Sequence, residues 1–163
     1  MKRSLKYWAS SMPESSEESK MKRVYVNEKW CLGCHLCEYY CAFAGMEETD
    51  MAKALKDIKI NPRIRIEEQD DVCFAVSCRH CNEPLCVKGC ITGALTIADG
   101  IITINEDKCV GCYTCILSCP YGAVSPTGDG VVQKCELCIK TVGGIPSCVK
   151  GCPNGAIVFE ERG

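Results

Sequence analysis

"CVGCYTCILSCP", residues 109 to 120, places four cysteines at gaps of two, two and three and follows the last with a proline. Three thiols on so tight a loop can wrap one compact iron-sulfur cluster, while the fourth, a helical turn further on, reaches toward a second. The same gaps recur in "CLGCHLCEYYC", residues 31 to 41. Gly33 and Gly111, inside the two loops, leave room for backbone amides to approach the sulfurs and hydrogen-bond them.

Two further groups are built on related gaps. Cys78, Cys81, Cys86 and Cys90 are spaced by two, four and three residues; Cys135, Cys138, Cys148 and Cys152 by two, nine and three. Sixteen of the 17 cysteines thus fall into four groups of four. The groups are parts of a longer repeat. "VYVNEKWCLGC" (24–34) aligns with "ITINEDKCVGC" (102–112), and "PLCVKGCITGAL" (84–95) with "PSCVKGCPNGAI" (146–157). The order is the same in both halves, so the chain is a tandem duplication. The offset falls from 78 residues between Cys31 and Cys109 to 62 between Cys90 and Cys152. A longer linker after the first group and a longer loop in the last account for this, both in segments where length costs little.

Composition agrees with a metal protein. A formal charge of -2 over 163 residues gives nothing for a polyanion or an anionic membrane to hold, which argues against nucleic acid. Without its cysteines the apolar share drops from 47% to roughly 37%, low for a globular domain, so something besides aliphatic packing must hold the fold. Residues 1–20 are rich in serine and glutamate and read as a disordered tail with no export signal; a second "MKR" opens at Met21. No stretch reaches membrane-spanning length, and direct membrane insertion is not expected. The expected location is the cytoplasm, whose reducing conditions disfavour a disulfide framework.

Alternating runs "VYVN", "RIRIEE", "ALTIA", "IITIN" and "AIVFEE" read as short strands, with "ADG" a hairpin turn between the middle two. "GMEETDMAKALKDI" (45–58) reads as a connecting helix with a polar face, and "SPTGDG" (125–130) as a turn. Strands this short could hardly fold without metal, so cluster insertion and folding should be coupled.

Other readings of these residues are weaker. The nine-residue gap would suit zinc in isolation, but the group ends in the same "CVKGC" as its counterpart and shares a chain with two iron-sulfur runs. Cys73, the seventeenth, is expected to be a buried, inert thiol. His35 and His80 sit inside cysteine groups whose ligands are already supplied, and are expected to tune potentials or lie at the surface. Trp30, Tyr39, Tyr40, Phe43 and Phe74 are expected to shield clusters from water, with a partner-facing role as the alternative.

Four groups in this order, with "CRHCNEPLC" second and "CELC" to "SCVKGCP" fourth, resemble the four-cluster ferredoxin-like electron-transfer subunits of molybdopterin oxidoreductases, hydrogenases and formate dehydrogenases. The resemblance covers residues 22–161. It is nearest to the small members that accompany carbon monoxide dehydrogenase, aldehyde oxidoreductase or a flavin-dependent NAD(P) oxidoreductase. It implies an α+β fold of two nested bacterial-ferredoxin-like modules, short antiparallel hairpins and short helices around four iron-sulfur clusters. The domain would run over 21–163, with an outer module of 22–45 and 131–161 and an inner module of 62–125.

The resemblance also implies a nested ligand pairing. Cys31, Cys34 and Cys37 would share a cluster with Cys152, and Cys135, Cys138 and Cys148 with Cys41. In the inner pair, Cys78, Cys81 and Cys86 would join Cys119, and Cys109, Cys112 and Cys115 would join Cys90. Sequential pairing of the first group with the second is the alternative. Some relatives lack one cysteine in the third group; here all are present, so four 4Fe-4S clusters are expected. Ala42 and Ile91 stand where a ferredoxin has proline, which leaves helix geometry there open.

The function so implied is electron transfer without catalysis. No glycine-rich nucleotide loop or nucleophile constellation is present to suggest an enzyme. The expected partners are a larger redox subunit and a flavoprotein or other acceptor, with a free-standing polyferredoxin as the alternative.

Overall fold

The computed structural model describes residues 21–44 and 46–162, so the tail expected over 1–20 lies outside the described residues. Four two-stranded antiparallel sheets carry the chain. β1 (Arg23–Val26) pairs with β8 (Ile157–Glu160), bringing Val24 opposite Phe159 and joining the two ends of the described chain. β2 (Arg65–Gln69) pairs with β3 (Val72–Val76). β4 (Leu95–Ala98) and β5 (Ile101–Ile104) form the hairpin expected around "ADG". Asp99 and Gly100 both hold positive φ, as a type I′ turn requires. β6 (Val124–Pro126) and β7 (Val132–Lys134) form the fourth, their turn closed by the Thr127 amide donating to the Val131 carbonyl.

A two-stranded sheet is marginal by itself in water, so each must be held by what packs on it. Two small cores do this. One gathers Val24, Ile64, Leu137 and Ile157 around Cys37, Cys78, Cys135 and Cys148. The other gathers Leu95, Ile102, Ile104, Val124 and Val132 around Cys86 and Cys115. Buried thiols are therefore part of the hydrophobic cores themselves.

Short helices carry the later cysteines of each group. α1 (Leu36–Phe43) has eight residues, whereas α3 (Leu85–Lys88), α4 (Thr114–Leu117) and α5 (Ser147–Lys150) have four each. The difference has a local cause. After the last cysteine of the other three groups the chain turns into a glycine at positive φ, Gly93, Gly122 or Gly155, whose amide bonds the cysteine carbonyl. The first group has Ala44 there and Ala42 in place of proline, so its helix runs on past Cys41. At Ile91 the missing proline changes nothing, because Gly89 already ends the helix.

The helix expected over 45–58 is much shorter. α2 spans only Met51–Ala54. The Asp50 side chain accepts from the amides of Ala52 and Lys53 and starts it there, and Asp57 at positive φ stops any continuation. The strands β3, β6 and β7 were not among those read from the alternation.

α1 packs on α5, and α3 on α4. Each contact uses a glycine. A Cβ on Gly151 would fall 2.2 Å from the Tyr40 ring, and one on Gly89 would press on Ser118. Tyr40 and Ser118 both directly precede the last cysteine of their groups, so the duplication repeats its packing as well as its ligands.

Candidate metal centres

The cysteine loops share one backbone feature. The residue before the second cysteine is left-handed in every group: Gly33 (φ 62), His80 (φ 45), Gly111 (φ 65) and Leu137 (φ 55). Beyond the second cysteine, His35 and Tyr113 are left-handed too. Such reversals turn consecutive amides inward and make an anion-binding nest. For glycine this costs little. For Leu137 and His80 it costs on the order of 1–3 kcal/mol, which persists only where the surroundings demand it. At Gly111 two constraints meet, since a Cβ there would also lie 2.2 Å from the Gly130 carbonyl oxygen.

The loops bring sixteen cysteines into four sets. Cys31, Cys34, Cys37 and Cys152 line a cavity together with Trp30, Leu32 and Ile66. Cys90, Cys109, Cys112 and Cys115 line a second with Val110, Tyr113 and Leu95. Cys34 and Cys112 are exposed at these two cavities. The other two sets lie deeper. Cys148 faces the thiols of Cys135, Cys41 and Cys138, and Cys81 and Cys86 both face Cys78 and Cys119. Among the described residues no three His, Cys, Asp or Glu side chains close around a single metal ion.

Electrostatics distinguish the sets. Burial, then the Glu38 carboxylate, pushes the Cys37 thiol up to about 12. Burial likewise carries Cys135 to about 12 and raises Cys148, on which four neighbouring thiols also act. Thiols crowded in this way are neutral at pH 7 and would become ligands by releasing their protons to water as they bind iron. Cys112 is lowered by the amide and hydroxyl of Thr114. At Cys90 burial acts upward, but hydrogen bonds from Leu95, Thr92 and Ala94 outweigh it and the net shift is down. The donor set is all thiol, soft and converging in fours with inward-facing amides, which fits iron-sulfur clusters.

A family model for the 4Fe-4S dicluster domain matches residues 70–162. The chain belongs to the 4Fe-4S dicluster domain family. As a ferredoxin-like member it carries 4Fe-4S clusters. It is 35% identical over 150 residues to an iron-sulfur protein of Rhodospirillum rubrum, covering 82% of this chain and 79% of that one. It is 30% identical over 148 residues to the electron transport protein HydN of Escherichia coli, with 81% and 83% covered. It is also 34% identical over 142 residues to the putative oxidoreductase AegA of Escherichia coli, covering 82% of this chain but only 21% of that relative's length.

Residues outside the cysteine sets agree with the reading of the sequence only in part. His80 is not at the surface: it is fully buried, and its Nδ1 accepts from the Ile102 amide. His35 is exposed and bridges Glu38 and Glu68. Cys73 is half-buried, lying against the Cys31 to Cys34 loop, where a Cβ on Gly33 would come within 2.9 Å of its Sγ. Trp30 and Tyr39 are largely exposed, whereas Tyr40 is spent in the α1–α5 contact. Lys134, 1% exposed, was missed altogether. Its only signal was the charge directly before Cys135 in "VVQKC".

Proposed function

We propose that the chain is a non-catalytic electron conduit with four 4Fe-4S clusters held in two nested modules, the outer of 22–45 and 131–161, the inner of 62–125. In this reading Cys31, Cys34, Cys37 and Cys152 hold one end cluster. Cys109, Cys112, Cys115 and Cys90 hold the other. Cys135, Cys138, Cys148 with Cys41, and Cys78, Cys81, Cys86 with Cys119, hold the two between them.

One observation supports the reading: thiols of successive sets lie near enough to act on one another electrostatically. Cys37 of the first set faces Cys148, and Cys135 of that neighbour faces Cys78 of the next. The third and second groups are joined through Cys119 and Cys90, each reaching across to the other group's thiols. Each cluster, when bound, changes oxidation state by one electron. The protein supplies the spacing, the amide nests and the dry surroundings. The two end cavities open to the surface, where a donor and an acceptor can approach.

The partners fitting this arrangement are a larger redox subunit, of the kind represented by carbon monoxide dehydrogenase, aldehyde oxidoreductase, hydrogenase or formate dehydrogenase, and a flavoprotein or other acceptor. A cytoplasmic location accords with so many free thiols, and among the described residues no helix is long and apolar enough to cross a membrane. Iron and sulfide analysis of anoxically purified protein tests the cluster number. About sixteen of each per chain is expected, and about eight would overturn it. Copurification with a larger redox subunit tests the partner; a chain that always elutes alone is a free polyferredoxin instead.

A further inference from the structure

In the two-stranded β4–β5 hairpin the outer edge of β5 pairs with no further strand, and three buried side chains close it. The Ile102 amide donates to His80 Nδ1 at 3.1 Å, and the Ile104 amide donates to Glu136 Oε1 at 2.9 Å. The Ile102 carbonyl accepts from Lys134 Nζ at 2.5 Å, and the Cys135 carbonyl accepts from the same ammonium at 2.5 Å. No carboxylate forms an ion pair with Lys134 among the described ion pairs. A methionine would fill the same space without the cost of burying a charge.

The position of that charge accounts for its presence. Lys134 stands where the two deep cysteine sets meet: it precedes Cys135 of one, and its charge also reaches Cys86 of the other. The side chain opposite it, His80, lies between Cys78 and Cys81, and Arg23 from β1 bonds Asn82 on the same loop. The end sets are different. The first has the Glu38 carboxylate beside Cys37, and the set around Cys112 has hydroxyls and amides but, among the described residues, no buried cation.

We infer that Lys134 sets the potentials of the two middle clusters above those of the end clusters, so that an electron entering at either end falls toward the centre of the molecule. Reduction adds one negative charge at a site, and a fixed ammonium beside two such sites stabilises the reduced form of both. The electron comes from the neighbouring site, which is oxidised by one, and no bond to Lys134 forms or breaks. The inference rests on the four-cluster reading above.

The test is an EPR-monitored redox titration of the full chain, with the end clusters assigned by the signals that Cys34→Ser and Cys112→Ser alter. In the native chain the middle pair should titrate above the end pair; titration at or below it overturns the inference. Lys134→Met should leave iron at about sixteen per chain. It should lower the reduced-to-oxidised ratio of both middle clusters about tenfold at a fixed potential, a shift of about 59 mV for a one-electron couple. The end clusters should not move. Unshifted middle clusters, or an equal shift in all four, overturn it. Lys134→Gln, which can still donate to both carbonyls, gives the same comparison if the methionine variant loses iron. About eight irons in the native chain would fail the four-cluster reading and this inference with it, whereas sixteen irons with unmoved potentials fail the inference alone.

Discussion

Gly151 lies flat against the ring of Tyr40, so close that a single added methyl would sit 2.2 Å from Cδ2. This contact seats α5 on α1 and thereby holds Cys152 over the cavity lined by Cys31, Cys34 and Cys37. Gly151→Ala must push the two helices apart. A loss of about 1–3 kcal/mol, the cost of overpacking a close contact, is expected in thermal unfolding of the loaded protein. Gly89→Ala at the matching place meets Ser118 Oγ and the Leu85 carbonyl at 3.2 Å and should cost clearly less. Equal losses in the two variants would show that the Tyr40 contact has no special weight.

The nested pairing makes a second prediction. Cys152→Ser should alter the signal of the cluster bound by Cys31, Cys34 and Cys37, although these residues lie over a hundred positions earlier in the chain. Cys90→Ser should in the same way disturb the cluster of Cys109, Cys112 and Cys115. Serine keeps the side-chain size and replaces a soft thiolate with a poor iron ligand, so the loss falls on one site. Mössbauer spectra in which Cys152→Ser damages only the cluster of Cys135, Cys138 and Cys148 would favour sequential pairing.

Much of this was legible because cysteine spacing is local. Each of the four cysteine groups and the "ADG" hairpin is encoded within a short stretch, and the duplication shows in the repetition of those stretches. The features that were not legible depend on distant parts of the chain. The left-handed Leu137 and His80 occupy loop positions filled by glycine in the other two groups, and nothing in "CELC" or "CRHC" announces the strain. Nothing in "VVQKC" marks Lys134 as buried, yet β5 covers it, the Ile102 carbonyl accepting from its ammonium. The 45–58 stretch has helical composition, but a capping aspartate at its sixth residue decides where the helix begins.

Alkaline pH should further weaken whatever fold is left once the metal is stripped, since the short strands hold little without it. Cys37 and Cys135 ionise near pH 12 when buried in the fold, against 9.0 for an ordinary thiol. Between those values the unfolded chain has lost protons that the folded chain still holds, so the folded state loses stability as pH rises from about 9 toward 12. Below pH 9 this contribution is fully present. Loading runs the opposite way: binding iron and sulfide requires thiolates, so it releases protons and is favoured by raising pH. Denaturant melts of chelator-stripped protein at pH 8 and pH 10 should show a lower midpoint at the higher value, and weakly buffered reconstitution should acidify the solution. A melt unaffected by pH over that range, or a stripped chain with no cooperative melt at either pH, would mean that these thiols are not buried without metal.

Glu38 couples the first set to the β2–β3 hairpin. Its Oε1 accepts from the Ile66 amide at 2.8 Å and its Oε2 meets His35 Nδ1 at 2.7 Å, while the carboxylate raises both the Cys37 thiol and the His35 imidazole. Structure and potential can therefore be separated at this one residue. Glu38→Ala leaves the partly buried Ile66 amide without its acceptor and should cost about 1–3 kcal/mol. Glu38→Gln keeps an oxygen for that amide, so it should cost little, yet it removes a negative charge beside the cluster of Cys31, Cys34, Cys37 and Cys152. That cluster should then become easier to reduce, its midpoint potential rising while the cluster of Cys109, Cys112 and Cys115 stays where it was. If the glutamine variant leaves both potentials unchanged, the carboxylate is a structural brace for β2 and has no part in tuning the first site.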